Sequence, residues 1–256
     1  MNSYFIWADP HINHKNVILH CMREPWLYPN PEYNPNAPEH FKFNNKLAVN
    51  LKSHDDDIIE NHNKLVKHGD TVIILGDFAW RDHNKYIARL NGKHIMIIGN
   101  HDKMNGDSLR NFSEVHEMGC RKKINGWDIT FSHYAMRSWP SSCHNSVHCW
   151  AHSHGRMPEF DNMLACDGGV DIWGYGVLPI EVFFKKMQIK MDWIRQNGKY
   201  AVDGENRAEG QYNKDPDQRV IEVRRKNKEI MQSMGYPIIE SMWPTEILKW
   251  PVEKTS

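Results

Sequence analysis

The stretch 93-KHIMIIGNHDKM-104 decides how this chain is read. Ile95, Met96, Ile97 and Ile98 form a short apolar run, the pattern of a strand buried on both faces. The run stops at Gly99, and an amide, an imidazole and a carboxylate follow in a row as Asn100, His101 and Asp102. Alone, this fits a turn, since Gly and Asn accept left-handed backbone and Asp caps helices. The choice between turn and site rests on the other strands.

Four further apolar segments end in the same residue types. SYFIWADPH (3–11) delivers Asp9 and His11, and TVIILGD (71–77) delivers Asp77. KINGWDITFSH (123–133) reads as a hairpin turning at Asn125-Gly126 and ending in His133. SVHCWAHSH (146–154) delivers His152 and His154, and NMLACDGGVD (162–171) reads as one more strand. Positions i and i+2 of an extended segment point the same way, so Asp9 with His11, and His152 with His154, can each face one centre. A lone D-x-H or H-x-H is more often structural than functional. Five strand ends with one chemistry are better explained by a metal site. Carboxylate, imidazole and amide donors without thiolate suit Mn²⁺, Fe²⁺ or Zn²⁺. Two carboxylates, four histidines and one amide exceed what one ion needs, so two ions sharing Asp77 are expected, a device for phosphate-ester hydrolysis.

The surrounding elements place these ends in a fold. KNVILHCM (15–22) and RDHNKYIARLNG (81–92) read as helices, so the early order is strand, helix, strand, helix, strand. That order predicts parallel pairing with crossover helices. The later strands predict a second sheet, giving an α/β sandwich. Residues 39–66 predict helix in two pieces, broken near Ser53 with Ser53 or Asp55 as cap. Residues 104–119 read as helical or irregular. Pro179 predicts the first position of a helix over 179–196. The domain expectation is 1–195 for the body and 196–256 for a polar, helical C-terminal extension.

Composition narrows the partners. The chain has 256 residues, with Lys+Arg and Asp+Glu both at 32, so its formal net charge is zero. That balance argues against strong non-specific nucleic-acid binding and favours a small substrate. No apolar run has membrane-spanning length and the start lacks signal-peptide character, so a cytoplasmic protein is expected. The five cysteines are scattered without a C-x-x-C pair, which predicts reduced thiols.

In order, D-P-H (9–11), G-D (76–77), G-N-H-D (99–102), His133 and A-H-S-H (151–154) resemble the calcineurin-like metallophosphoesterase family. The blocks run through residues 4 to about 190. DPHINHKNVI and GGVDIWGYGVLPIE look like a bacterial and phage subgroup of small predicted phosphoesterases. The resemblance implies a two-sheet α/β sandwich and two divalent ions, Mn²⁺ favoured and Fe²⁺, Zn²⁺ or Ni²⁺ alternatives. It implies that Asp9, His11 and His154 hold one ion, that Asn100, His133 and His152 hold the other, and that Asp77 bridges. It implies that His101 protonates the leaving oxygen as general acid, oriented by a hydrogen bond that it donates to Asp102. The activity implied is metal-dependent phosphoester hydrolysis of mono- or diesters alike; zero net charge and the aromatic loop favour a nucleotide-like or other small phosphodiester. A nuclease or a phosphomonoesterase or protein phosphatase with the same centre is the alternative, and a non-catalytic scaffold the remaining one. The chain departs from the family at Trp80, where Asp is usual, and at Ala151, where Gly is usual.

Substrate contacts are less determined. His14 either touches phosphate or caps local structure. Arg23 and Arg137 read as phosphate clamps or as solvated surface charges. Trp26, Tyr28 and Tyr33, in the Pro-rich loop 25–38, read as nucleobase stackers or as packing anchors. His144 reads as a pocket-lining residue.

Overall fold

The computed structural model describes residues 2–34, 36, 46–104, 106–198 and 215–246. A five-stranded sheet runs in the order β11-β1-β4-β5-β6, formed by Leu178–Pro179, Tyr4–Trp7, Thr71–Ile74, Lys93–Ile97 and Glu114–His116. β1, β4, β5 and β6 are parallel and β11 joins antiparallel, pairing Phe5 with Pro179. A four-stranded sheet runs β10-β9-β8-β7, formed by Ala165–Asp167, Val147–Trp150, Trp127–Phe131 and Cys120–Ile124. β7 and β8 form the expected hairpin, with Asn125 and Gly126 at φ 49° and 83° in its turn. β8, β9 and β10 are mutually parallel.

The two sheets share one core. Ile6, Ile73, Leu75, Ile95 and Ile97 of the first sheet cluster with Ile129, Phe131, Val147 and Cys149 of the second. The alternate residues Phe5, Trp7, Val72, Ile74 and Met96 face the opposite way, onto Val17, Ile18, Ile58 and Ile59. Those four lie on helices α1 (Lys15–His20) and α2 (Leu51–Leu65). Covering on both faces is why β1, β4 and β5 read as unbroken apolar runs. The protein is a mixed α/β fold.

Short helices α3 (His83–Ile87) and α4 (Gly106–Leu109) follow β4 and β5. Helix α5 (Ile180–Asn197) and helix α6 (Pro216–Ser233) send Phe183, Met187, Val220 and Met231 into the inter-sheet core. Among the described residues, no helix is long and apolar enough to cross a membrane.

Three local expectations are corrected. Residues 47–49 form strand β3, not helix, because they pair antiparallel with β2 (Leu27–Pro29), within the stretch read as a loop. Helix α2 is unbroken at Ser53; its cap is Asn50, whose side chain accepts the Ser53 N–H at 3.0 Å. The stretch 37–45 lies outside the described residues. Between 104 and 119, Glu114–His116 adds a parallel edge strand beside β5. It is only three residues long and largely polar, so periodicity could not reveal it.

Candidate metal centre

Parallel strands in both sheets carry their C-terminal ends to one edge, and the loops beyond β1, β4, β5, β8 and β9 meet there. Two groups of donor atoms result. Asp9, His11 and His154 form one, Asp77, His133 and His152 the other, and within each the atoms lie within 4.8 Å of one another. Asp77 stands between them, with Oδ2 3.4 Å from His11 Nε2 and 3.6 Å from His133 Nε2. Asn100 Oδ1 lies 2.9 Å from His133 Nε2. The seven residues expected to be ligands are therefore brought together in the expected two sets.

The route to this convergence differs from the strand-alternation argument. Asp9, His11, Asp77, His152 and His154 have φ between 50° and 67°. They are left-handed residues past the strand ends, each costing about 1 kcal/mol or more for a side chain with a Cβ. Backbone bonds hold them. Asp9 N–H donates to Gly76 O at 3.2 Å, and His11 N–H to Asp77 O at 3.0 Å. His152 N–H donates to Asp9 Oδ2 at 2.8 Å, and His101 N–H to Asp77 Oδ1 at 2.8 Å. Two glycines allow the loops to touch. A Cβ on Gly99 would lie 2.3 Å from Asp77 Oδ1, and one on Gly76 2.4 Å from His133 Nδ1.

Asp102 does not hold His101, a correction to the expected dyad. Its carboxylate accepts the backbone N–H groups of Asp77 (2.7 Å), Gly99 (2.8 Å) and Phe78 (2.9 Å). It ties the β4 and β5 loops together and thereby places Asp77 and Asn100. Burial raises its pKa to about 7 despite those three donors.

Arg23 is corrected too. It is fully buried and donates through Nε and Nη2 to both carboxylate oxygens of Asp171, each at 2.9 Å. It also donates to Pro10 O and Asp9 O. Asp171 Oδ2 in turn accepts from His154 Nδ1 at 2.7 Å. Arg23 is thus a brace behind the centre, out of reach of a substrate. Arg137 is exposed and lines a separate cavity with Trp139 and Phe160 that contains none of the ligand residues. The chain leaves the site beyond His133, because Met136 N–H turns back onto His148 Nε2 at 3.1 Å. His144 is exposed on the 3-10 turn Ser142–His144 and lines neither that cavity nor the centre. Trp26 is buried against His54 and Tyr175 and donates to Asp57, so it is a packing anchor.

His14 remains at the site. It precedes α1, its Nδ1 lies 3.1 Å from His11 Nδ1, and its ring stacks on Trp80 at 4.3 Å and 13°. Asp171 and Asp167 were not singled out from sequence. Asp167 accepts Ser153 Oγ at 2.6 Å and Gly155 N–H at 2.9 Å, and so shapes the loop that carries His152 and His154. The GG between Asp167 and Asp171 was the available signal, since it marks a loop after a strand.

The electrostatics fit a cation. Burial raises Asp9 well above the usual carboxylate range; His154 opposes this, while Asp167, Asp77 and Asp171 add to it. Burial lowers the pKa of His11, His133 and His152, which keeps them neutral, as ligands must be. Burial also opposes the charge on His154, but Cys21, Asp171 and Asp9 together raise its pKa well above the ordinary value. A cation there would displace that proton. Asp9 Oδ1 and His11 Nε2 are buried without a hydrogen-bond partner, and an unmet buried acceptor is costly. His133 Nδ1 donates to Leu75 O at 2.8 Å, so the lone pair of the neutral ring points at two oxygens, Asp77 Oδ2 and Asn100 Oδ1. Converging lone pairs repel unless a cation lies between them. Cys21, His154 and Asp171 form a third possible group, but Asp171 is already engaged by Arg23 and His154.

No family model matches the chain. An uncharacterized protein of Methanocaldococcus jannaschii is 27% identical over 149 residues, covering 53% of this chain and 71% of its own. A crystal structure of a protein of unknown function from Aquifex aeolicus aligns over 72% of this chain and 99% of its own, at 22% identity and a TM-score of 0.49. Neither name carries an activity.

Proposed function

We propose that the protein is a two-metal phosphoesterase of the calcineurin-like type, acting on a nucleotide-like or other small phosphodiester. The observation that carries this reading is the pair of ligand groups sharing Asp77, with buried acceptors aimed inward and unmet. The ordered motif blocks and the two sheets over one core agree with it. Oxygen and imidazole donors suit two Mn²⁺, with Fe²⁺, Zn²⁺ or Ni²⁺ as alternatives. Bound there, a pair of divalent ions supplies Lewis acidity to a phosphoryl oxygen and a nucleophilic water at neutral pH.

The chain's own groups do the rest. Asp77, between His11 and His133, would be a ligand to both ions. Asp171 holds His154 by Nδ1, leaving Nε2 for the centre, and Leu75 O does the same for His133. His101 is half-buried and not in either ligand group, and its ring lies 5.4 Å from that of His11. From there it donates a proton to the departing oxygen as general acid. Its main-chain bond to Asp77, rather than Asp102, ties it to the centre.

The test is a panel of phosphomonoesters, cyclic nucleotides, dinucleotides and bis(4-nitrophenyl) phosphate, run with Mn²⁺ and with a chelator. Chelator-sensitive diester hydrolysis is expected; inactivity on every substrate with Mn²⁺ bound would sink the reading. His101→Gln should retain its metal and lose about 10²–10⁴-fold in rate on an alkyl leaving group. The loss should be smaller on 4-nitrophenolate, which leaves without a proton.

A further inference from the structure

Beside His101 opens a cleft of about 800 Å³, between the loop after β4, helix α3 and the loop after β5. We propose that it receives the leaving group of the diester, and that this group is a nucleoside bearing a phosphate of its own. The word "leaving" rests on the phosphodiesterase reading; the binding chemistry does not.

Three observations converge. The first is position. His101 lines the cleft and is also the proposed donor to the departing oxygen, so whatever departs on its side enters this space. The volume falls in the range of small-ligand sites, about 300–1,000 Å³.

The second is charge. Arg81, Lys85 and Lys103 line the cleft against one carboxylate, Asp82, in a chain whose formal net charge is zero. Other surface cations are matched, the exposed Lys52 and Arg89 by Asp56, and the half-buried Lys122 and Lys228 by Glu114 and Glu240. Among the described residues, neither Arg81 nor Lys103 has an ion-pair partner. Unmatched guanidinium and ammonium groups on a concave wall recognise phosphate. Asp82 makes no side-chain cap bond to α3 and is free to accept from a sugar hydroxyl.

The third is the aromatic wall. Trp80 is 37% exposed although His14 covers one of its faces at 4.3 Å and 13°. The His101 ring also approaches it, at 5.5 Å and 43°, and a flat base can stack on the area these two imidazoles leave open. This is the position at which the chain departs from the metallophosphoesterase motif, with Trp instead of Asp.

Calorimetric titration of the metal-free protein in EDTA tests this, with thymidine 3′,5′-bisphosphate and thymidine as probes. Removing the metals removes the other anion site. The bisphosphate should bind at least about tenfold more tightly than thymidine, and its affinity should fall with added NaCl. The double variant R81Q/K103Q should weaken bisphosphate binding by about tenfold with a shallower salt dependence. W80A should weaken both probes, and R195Q, on the outer face of α5, neither. Bisphosphate binding that is absent, or equal in R81Q/K103Q and the parent, overturns the proposal. Binding as expected, without Mn²⁺-dependent hydrolysis of any diester, would instead overturn the phosphodiesterase reading and with it the leaving-group role.

Discussion

The Asp9–His11–His154 group and the Asp77–His133–His152 group lie side by side, yet they are built to different standards of rigidity. In the first, Asp9 and His11 are buried, and His154 is fixed by Asp171, itself held by both arms of Arg23. Arg224 of α6 then donates to the main-chain carbonyl of Asp171 at 2.8 Å, so helix α6 stands behind the same residue. In the second, His133 is buried and bonded to Leu75 O, but His152 and Asn100 are exposed. The His152 ring packs against the rings of His133 and Tyr134. A ligand held in place before the metal arrives loses less freedom on binding. The first position should therefore hold its ion tightly, and the second should exchange.

The variant that tests the whole comparison is Asp77→Asn, since Asp77 belongs to both positions. It should abolish hydrolysis and lower metal content at both; retention of two ions per chain by elemental analysis would remove Asp77 from its bridging place. Asp171→Asn should act on one side only. Loss of the partner that orients a metal-binding histidine typically weakens affinity by about 10–100-fold. Titration with Mn²⁺ should show one weakened site and one unchanged. Because Arg23 is left unmatched in the interior, a loss of about 3–5 kcal/mol in stability should accompany it. His152→Ala should do the reverse, weakening the exchanging site with little change in urea midpoint.

Asp102→Asn separates the observed role from the expected one. An amide group offers one acceptor oxygen in place of the two that now serve three backbone donors. Unfolding free energy should fall by about 1–3 kcal/mol and metal affinity with it. A variant with full metal content and normal stability, but a slow chemical step, would restore the His101–Asp102 dyad.

An effect that is nil at neutral pH and grows only in acid concerns the scaffold both positions share. His148 is buried on β9, with Nδ1 donating to Thr130 O and Nε2 accepting from Met136 N–H, which requires the neutral ring. Burial lowers its pKa from 6.5 to about 4. Between those values the unfolded chain takes up a proton that the folded one refuses, so stability is full above pH 6.5 and declines as pH falls toward 4. The decline from this residue is at most about 3 kcal/mol. Urea unfolding at several pH values should show a shallower slope for His148→Gln; an unchanged slope would assign the acid sensitivity elsewhere.

The converging side chains were legible in the sequence because each follows a strand end. A strand buried on both faces is apolar throughout, so the first polar residue beyond it stands out, and in a parallel sheet those ends must share one edge. The supporting residues were not legible, and Arg23 shows why. A guanidinium in a loop reads as a surface charge, and its burial is offset by Asp171, 148 residues away, with the carbonyls of Asp9 and Pro10. The family resemblance implies that Asp102 orients His101, whereas its carboxylate accepts main-chain donors from the β4 loop, Asp77 and Phe78, and from Gly99.

By itself, then, the sequence determined the parallel pairing of the first three apolar strands, the hairpin at Asn125-Gly126 and the identity of the seven converging side chains. These depend on local periodicity, turn chemistry and the rule that parallel strands end together. Tertiary structure decided the left-handed backbone at five of those side chains, the brace through Asp171 and Arg23, and the cleft walled by Trp80. Each is set by contacts between residues far apart in the chain, and no local pattern encodes them.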